Sequence, residues 1–433
     1  MNFRNSRDTI LGNVAQQGAA LLLGIFLPLF LAVEQYGQLT YVATLLSFSA
    51  ISDFGLSAVY ARKMPGVLQL AQAREIDAWN STAVRFRMYT STAFGVLIAA
   101  MYFLRFREGV NALALALVPP LLTISAQFVS RTTAGADYTA ARDMGIASSI
   151  ARLIVLPGVM LFGLRGWFVA QVLVGMTGLA IRNALKWMWR DWTATARLNW
   201  TLVREHLPEA VALGLLTTLW TQLLAAGRLI AAFEYPATVM AQYGLASAAY
   251  QAMGSALIAA FIPQTVKVYR MVESDEAGAR DYVYESMRKV FPIVMAFVGA
   301  ATLALPVLLG AIFPKYNVGG TLLSCYCLSL LYYPPIITVG ALLVGTRRLR
   351  EYMALISGGL VLAGFLCHML EPFVGYAAAA LAQLISLSLF AISLILVSTA
   401  RHTKHSRRAA WPVWAWLMGS NLLSVITLLV TWA

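Results

Sequence analysis

Apolar runs of about 20 residues follow one another along nearly the whole chain, each closed by arginine, lysine or a short polar turn. A helix needs roughly 20 mostly apolar residues to cross a bilayer. The pattern therefore predicts spans near 10–33, 36–60, 88–104, 112–130, 144–163, 167–185, 208–231, 238–262, 290–313, 320–345, 352–370 and 374–399, with a thirteenth apolar run over 411–432.

The runs repeat. Pro119-Pro120 and Pro334-Pro335 lie 215 residues apart, each inside an apolar run that reaches an arginine 11 or 12 residues later, Arg131 and Arg347. Gln35-Tyr36-Gly37 returns as Gln242-Tyr243-Gly244, and Gly166-Trp167 as Gly375-Tyr376, at offsets of 207 and 209. Landmarks in one order at nearly one offset point to a duplication. Proline lacks a backbone donor and clashes with the preceding turn, so each double proline is expected to break its span. Paired breaks in two halves mark a gating or substrate pathway. Pro119, Pro120, Pro334 and Pro335 are its candidates.

Composition agrees with this solvent. Of 433 residues 60% are hydrophobic and 12% charged, against about 25% charged in a soluble domain. The first apolar run is too long for a signal-peptide core and is read as a retained span. Cys325, Cys327 and Cys367 fall in predicted spans without a histidine or a second pair nearby, so they read as small packing residues rather than zinc ligands.

With a cytoplasmic N-terminus and twelve alternating spans, all but six of the 32 Lys and Arg face the cytoplasm. Arg105, Arg107, Arg165 and Lys315 lie outside, and Arg152 and Arg228 within spans. This obeys the positive-inside rule and accounts for the net charge of +13 without nucleic acid. Loops are too short for a soluble catalytic domain, and no P-loop, dinucleotide fingerprint or HExxH occurs. The expected fold is an all-α polytopic membrane protein of two six-helix lobes, 1–185 and 208–399, related by a pseudo-two-fold axis along the membrane normal. A Trp- and Arg-rich interfacial linker, 186–207, joins them, and a basic segment with an extra C-terminal helix follows over 400–433.

Charges at membrane depth are costly and suggest function. Asp53 lies nine residues before Arg62, and Arg152 nine after Asp143, which places both about 13 Å inside the membrane. They could meet, either as a structural pair between spans two and five or as an anion site in which Asp53 is the resting partner or a coupling-ion carboxylate. Arg228 lies 20 residues into span seven, nearer the outer face, with Gln222 six residues earlier, about 120° away around the helix. Snorkelling to the headgroups is its ordinary alternative. Arg62 and Arg131 fit positive-inside anchoring, and Arg182 snorkelling. Arg62 and Gln222 complete the candidate substrate contacts with Arg152, Arg228 and Asp53.

Gly12, Gly24 and Pro28 in the first span, Gln35-Tyr36-Gly37, and Asp53-Phe54-Gly55-Leu56-Ser57 at the end of the second resemble the O-antigen and exopolysaccharide flippases. These form the polysaccharide-transporter branch of the multidrug, oligosaccharidyl-lipid and polysaccharide exporter superfamily. Tyr243-Gly244-Leu245-Ala246 with Pro263 resembles the opening of that family's second half. The resemblance implies a twelve- or fourteen-helix bundle in a bacterial inner membrane that moves an undecaprenyl-diphosphate-linked oligosaccharide between leaflets by alternating access. It also implies a cationic cavity between the lobes for the headgroup, with Arg152 and Arg228 its candidates by depth. No cofactor is implied beyond a coupling ion, H+ or Na+. The implied partners are the lipid-linked oligosaccharide, membrane lipids, a polysaccharide polymerase and other assembly proteins, around a monomer.

Two rivals stay open. A cation-coupled multidrug exporter of the same superfamily would use a buried carboxylate, for which Asp53 is the deep candidate. A polysaccharide polymerase would need a large outer loop with catalytic residues, and the sequence has none.

Overall fold

The structure, a computed structural model, describes residues 15, 18–20, 22–69, 73–134, 138–180, 198–316, 320–346, 348–399 and 411–432. Arg182, most of the expected linker and the basic segment 400–410 lie outside them. The described residues form helices and no strand, as expected of a chain whose backbone polar groups must find partners without water.

In the first half the helices are α1 (Gly18–Phe30), α2 (Val33–Leu46), α3 (Leu56–Gln69), α4 (Ala73–Phe106), α5 (Gly109–Ala134), α6 (Tyr138–Leu153) and α7 (Val155–Ala180). Then follow α8 (Trp200–Leu224), α9 (Ala226–Glu234), α10 (Ala237–Ser274), α11 (Glu276–Ile312), α12 (Gly320–Ser329), α13 (Tyr333–Gly345), α14 (Leu349–Val374), α15 (Ala378–Thr399) and α16 (Trp411–Trp432). Two compact units emerge, Met1–Thr218 and Leu219–Ala433, with the boundary inside α8.

Among the described residues seven helices are long and apolar enough to cross a membrane, or eight if the pair Ala237–Ile258 and Pro263–Val272, bent by 42°, forms one span. The difference from twelve expected spans has a physical cause, because several spans are interrupted. Span two is divided between α2 and α3 by a 3-10 turn, Ser47–Ile51, and the Asp53-Phe54-Gly55 corner. Conversely, the 51-residue stretch Leu349–Thr399 counts as one helix, although at about 1.5 Å per residue it is more than twice a bilayer's hydrocarbon thickness.

That stretch turns at Gly375, with φ 54° and ψ −136°. Gly163, inside α7, has φ 57° and ψ −139°. Both sit in backbone space that essentially only glycine occupies. The repeated turn therefore equates Gly163 with Gly375, at an offset of 212, and corrects the pairing of Gly166 with Gly375. Each turn lies beside the second span of its own half. A Cβ on Gly163 would stand 3.6 Å from the Gln35 amide, and the Tyr243 hydroxyl donates to Tyr376 O (2.6 Å) and accepts from Ala380 N–H (3.1 Å).

The double prolines repeat only in part. Thr123 Oγ1 donates to Pro119 O (2.9 Å) and Thr338 Oγ1 to Pro334 O (2.7 Å), so the duplicated unit is Pro-Pro-x-x-Thr. In the second half the expected break takes the form of a 3-10 turn, Leu330–Tyr332, between α12 and α13, within a span that still runs as one helix from Gly320 to Gly345. It is absent in the first, where α5 runs unbroken through Pro119 and Pro120.

Each unit has its own core. In the first, Leu56, Val59, Tyr60, Met64, Trp79, Phe86 and Val203 cluster together. In the second, buried tyrosines form a chain, with ring centroids 5.9 Å apart for Tyr235–Tyr243, 6.2 Å for Tyr243–Tyr326, 5.1 Å for Tyr326–Tyr250 and 5.7 Å for Tyr250–Tyr333.

Candidate functional site

In the first unit the Asp53-Phe54-Gly55-Leu56-Ser57 segment forms a corner that interrupts span two. Phe54 and Gly55 take φ of 52° and 77°, and the corner leaves the first N–H groups of α3 without helical acceptors. Asp53, 5% exposed, supplies them: Oδ1 accepts from Gly55 N–H (3.0 Å) and Oδ2 from Ser57 N–H (3.2 Å). Asp53 thus caps the start of α3 from two residues ahead of the N-cap position, Gly55, with the side-chain acceptor that an N-cap residue ordinarily supplies. Glycine is required at 55 for space as well as conformation, since a Cβ there would stand 2.0 Å from Ala210 O. Gly214 meets it from α8, where a Cβ would come within 2.9 Å of the Gly55 backbone.

Asp53 also has a cationic partner, and it is not Arg152. Arg87 of α4 places Nε 3.1 Å from Asp53 Oδ2, and its Nη1 donates to Gln127 Oε1 of α5 at 2.6 Å. Beside them Tyr60 Oη donates to Asn80 Oδ1 (2.6 Å). Spans two, three and four are thus tied by a buried Asp–Arg–Gln chain whose carboxylate is occupied on both oxygens. Arg87 escaped the sequence reading because span three was begun at 88, whereas α4 starts at Ala73 and carries Arg87 well inside the helix.

Arg152 lies in the last turn of α6, two residues before a break at Ile154. It is half-buried, and among the described residues its guanidinium has no protein hydrogen bond or ion pair. Arg62 pairs with Glu209 of α8, both partly exposed. Ordinary anchoring explains it.

In the second unit span seven is broken. α8 stops at Leu224, Ala225 leaves the helical region (φ −115°, ψ 20°), and α9 begins at Ala226. Gln383 of α15, fully buried, closes the gap by donating to Leu224 O (3.2 Å) and accepting from Gly227 N–H (2.7 Å). One amide thus satisfies a freed acceptor and a freed donor, which would each be costly if left bare. Gln222 and Arg228 stand on either side of this break, Gln222 buried and Arg228 half-buried. A Cβ on Gly227 would meet the Tyr326 hydroxyl at 3.0 Å. The signal for Gln383 and Gln127 was available: an amide inside an otherwise apolar run needs a reason.

Arg152 and Arg228 therefore adjoin helix breaks, one in each unit, while the buried carboxylate of Asp53 is consumed by capping and pairing. Chemically these positions suit an anion. Among the described residues no group of three or more His, Cys, Asp or Glu could hold a metal ion. The three cysteines are buried free thiols.

No family model matches the sequence, and no curated protein does. Solved structures do. The inward closed conformation of the lipid II flippase MurJ aligns over 99% of this chain and 98% of its own, at 12% identity and a TM-score of 0.64. A transporter of the MOP superfamily from Pyrococcus furiosus aligns over 92% and 94%, at 16% identity and 0.57. The Vibrio cholerae MATE transporter VcmN aligns over 91% and 94%, at 14% and 0.54. The chain has the fold of the MOP transporters. It is a multi-pass membrane protein of that architecture, and the two-lobed helical bundle expected from the sequence agrees with it.

Proposed function

We propose that this protein is a flippase that carries an undecaprenyl-diphosphate-linked oligosaccharide from the inner to the outer leaflet of a bacterial cytoplasmic membrane by alternating access, during surface polysaccharide assembly. The observation that carries the reading is Arg152, a half-buried guanidinium in the last turn of α6 with no protein partner among the described residues. A cation held at such depth is stabilised by an anionic ligand, and a diphosphate matches the planar fork of guanidinium donors. Arg228, beside the break in span seven, is the second candidate contact.

The occupied state of Asp53 supports the lipid-linked anion over a drug cation. Its oxygens already accept two backbone N–H groups and face Arg87, so no free carboxylate remains there to bind a cation. The sequence contains no nucleotide-binding motif, and in this reading an ion gradient, the membrane potential or consumption of the product drives transport. A lipid-linked partner also fits the likeness in fold to MurJ, a lipid II flippase.

The test is a gene deletion complemented with variants. Loss of the protein is expected to leave the glycan lipid on the cytoplasmic leaflet and to abolish the surface polymer. Arg152→Ala is expected to accumulate normally without restoring the polymer, and Arg152→Lys to restore it in part. A deletion strain that keeps its polymer and becomes hypersensitive to cationic drugs would instead establish the multidrug reading.

A further inference from the structure

We infer that α16, the C-terminal helix, is a latch on the broken tenth span, held by a hydrogen bond that takes the place of the one Pro335 cannot make. In an unbroken helix the N–H of residue 335 would donate to the carbonyl of residue 331. Proline has no such donor. In the structure Trp416 Nε1–H of α16 donates to Leu331 O at 2.8 Å, and the indole is fully buried. The other carbonyl freed by the pair, Leu330 O, is taken by Tyr333 N–H within the 3-10 turn.

A second contact acts at the same place. Asn421, five residues further along α16, accepts from the Tyr332 hydroxyl (2.8 Å) and from Ser388 Oγ of α15 (2.7 Å). Phe291 of α11 packs on Trp416 with ring centroids 4.7 Å apart. The helix thus reads the break through one indole N–H and one amide oxygen.

The first half solves the same problem without a thirteenth helix. There Pro120 frees the Ala116 carbonyl, and Gly95 of α4 lies directly against it, so close that a Cβ would stand 2.3 Å from Ala116 O. Backbone contact with a neighbouring span covers that carbonyl and leaves α5 unbroken. In the second half the corresponding carbonyl depends on a side chain from a separate element. Opening of the tenth span at Pro334-Pro335 is therefore coupled to withdrawal of α16, whereas the fourth span has no such release.

The break carries its own reporters. Cys325 and Cys327 lie in α12, within two turns of Leu331, and are 0% and 1% exposed. The full-length protein with Cys367→Ser is modified with N-ethylmaleimide in native membranes. Trp416→Phe, which keeps an aromatic ring and removes the N–H, is expected to speed modification about fivefold, the effect of one net hydrogen bond. Pro335→Ala restores a backbone donor to Leu331 O. The double variant is expected to return to the parental rate.

Asn421→Ala is expected to speed modification too, but Pro335→Ala should not rescue it, because the asparagine contacts a different group. Trp416→Phe at the parental rate, or a double variant as fast as Trp416→Phe alone, would overturn the inference. So would equal rescue of Asn421→Ala, which would make Pro335→Ala a general stabiliser. If Trp416→Phe fails to accumulate, abundance replaces labelling as the readout, with recovery by Pro335→Ala supporting the latch and no recovery overturning it.

Discussion

Asp53 and Arg152 show what a residue's depth in the sequence does and does not determine. Both are read from the sequence as intramembrane charges that could pair, yet Asp53 meets Arg87 at 3.1 Å and also caps the start of α3. Depth can be counted from helix ends, whereas the partner depends on which helices are neighbours and where α4 begins. Removing one member of a buried pair leaves the other uncompensated, at about 3–5 kcal/mol. Arg87→Gln and Asp53→Asn are each expected to lower abundance and the detergent melting temperature, while the double variant recovers part of the loss. Arg152→Ala, by contrast, is expected to leave the melting temperature nearly unchanged. Gly55→Ala is expected to be among the most damaging small substitutions, because it meets Ala210 O at 2.0 Å in a positive-φ conformation. Size-exclusion of the solubilised variant would register it as aggregation.

At the level of elements, apolar run length identified where helices lie but not where they break. Hydropathy is blind to a break whose polar groups are satisfied by one amide, as Gln383 does for span seven. Gln383→Leu leaves Leu224 O and Gly227 N–H without that partner. A cost of about 1–3 kcal/mol per abandoned group is expected, read as a fall in melting temperature larger than that of Gln383→Glu, which keeps the acceptor. The double prolines were legible as a repeat, and the following threonines would have strengthened it. That only one pair breaks its helix could not be read, since the difference lies in what covers the freed carbonyl: Gly95 in one half and Trp416 in the other. The two turn glycines make a matched prediction. Gly163→Ala and Gly375→Ala should destabilise to a similar degree, about 1–3 kcal/mol each, as paired shifts in thermal unfolding.

For the whole molecule, composition was enough to recognise a polytopic membrane protein, and the duplication suggested two lobes. The fold shared with MurJ and the MATE transporters agrees with both. The glycan is not written in the sequence, because the residues that would read a sugar are ordinary polar side chains without a spacing rule, whereas the proposed diphosphate contacts, Arg152 and Arg228, stand out as charges inside predicted spans. The proposed flippase activity accordingly rests on those arginines.

Length has one further mechanical result. α10 and α11 contain 38 and 37 residues, or about 57 Å and 55 Å of helix if straight, against a hydrocarbon layer of about 30 Å. They meet at Asp275, whose side chain accepts from Gly278 N–H at 2.9 Å and fixes the start of α11. Such a hairpin is a lever whose fulcrum is the membrane boundary and whose continuous arm is α11, since α10 bends by 42° between Ile258 and Pro263. Some 25 Å beyond that boundary, a rotation of about 10° in the buried part sweeps the tip by roughly 4 Å, from helix geometry alone. A spectroscopic label at Asp275 thus converts a small tilt inside the bilayer into a displacement large enough to measure from the aqueous side.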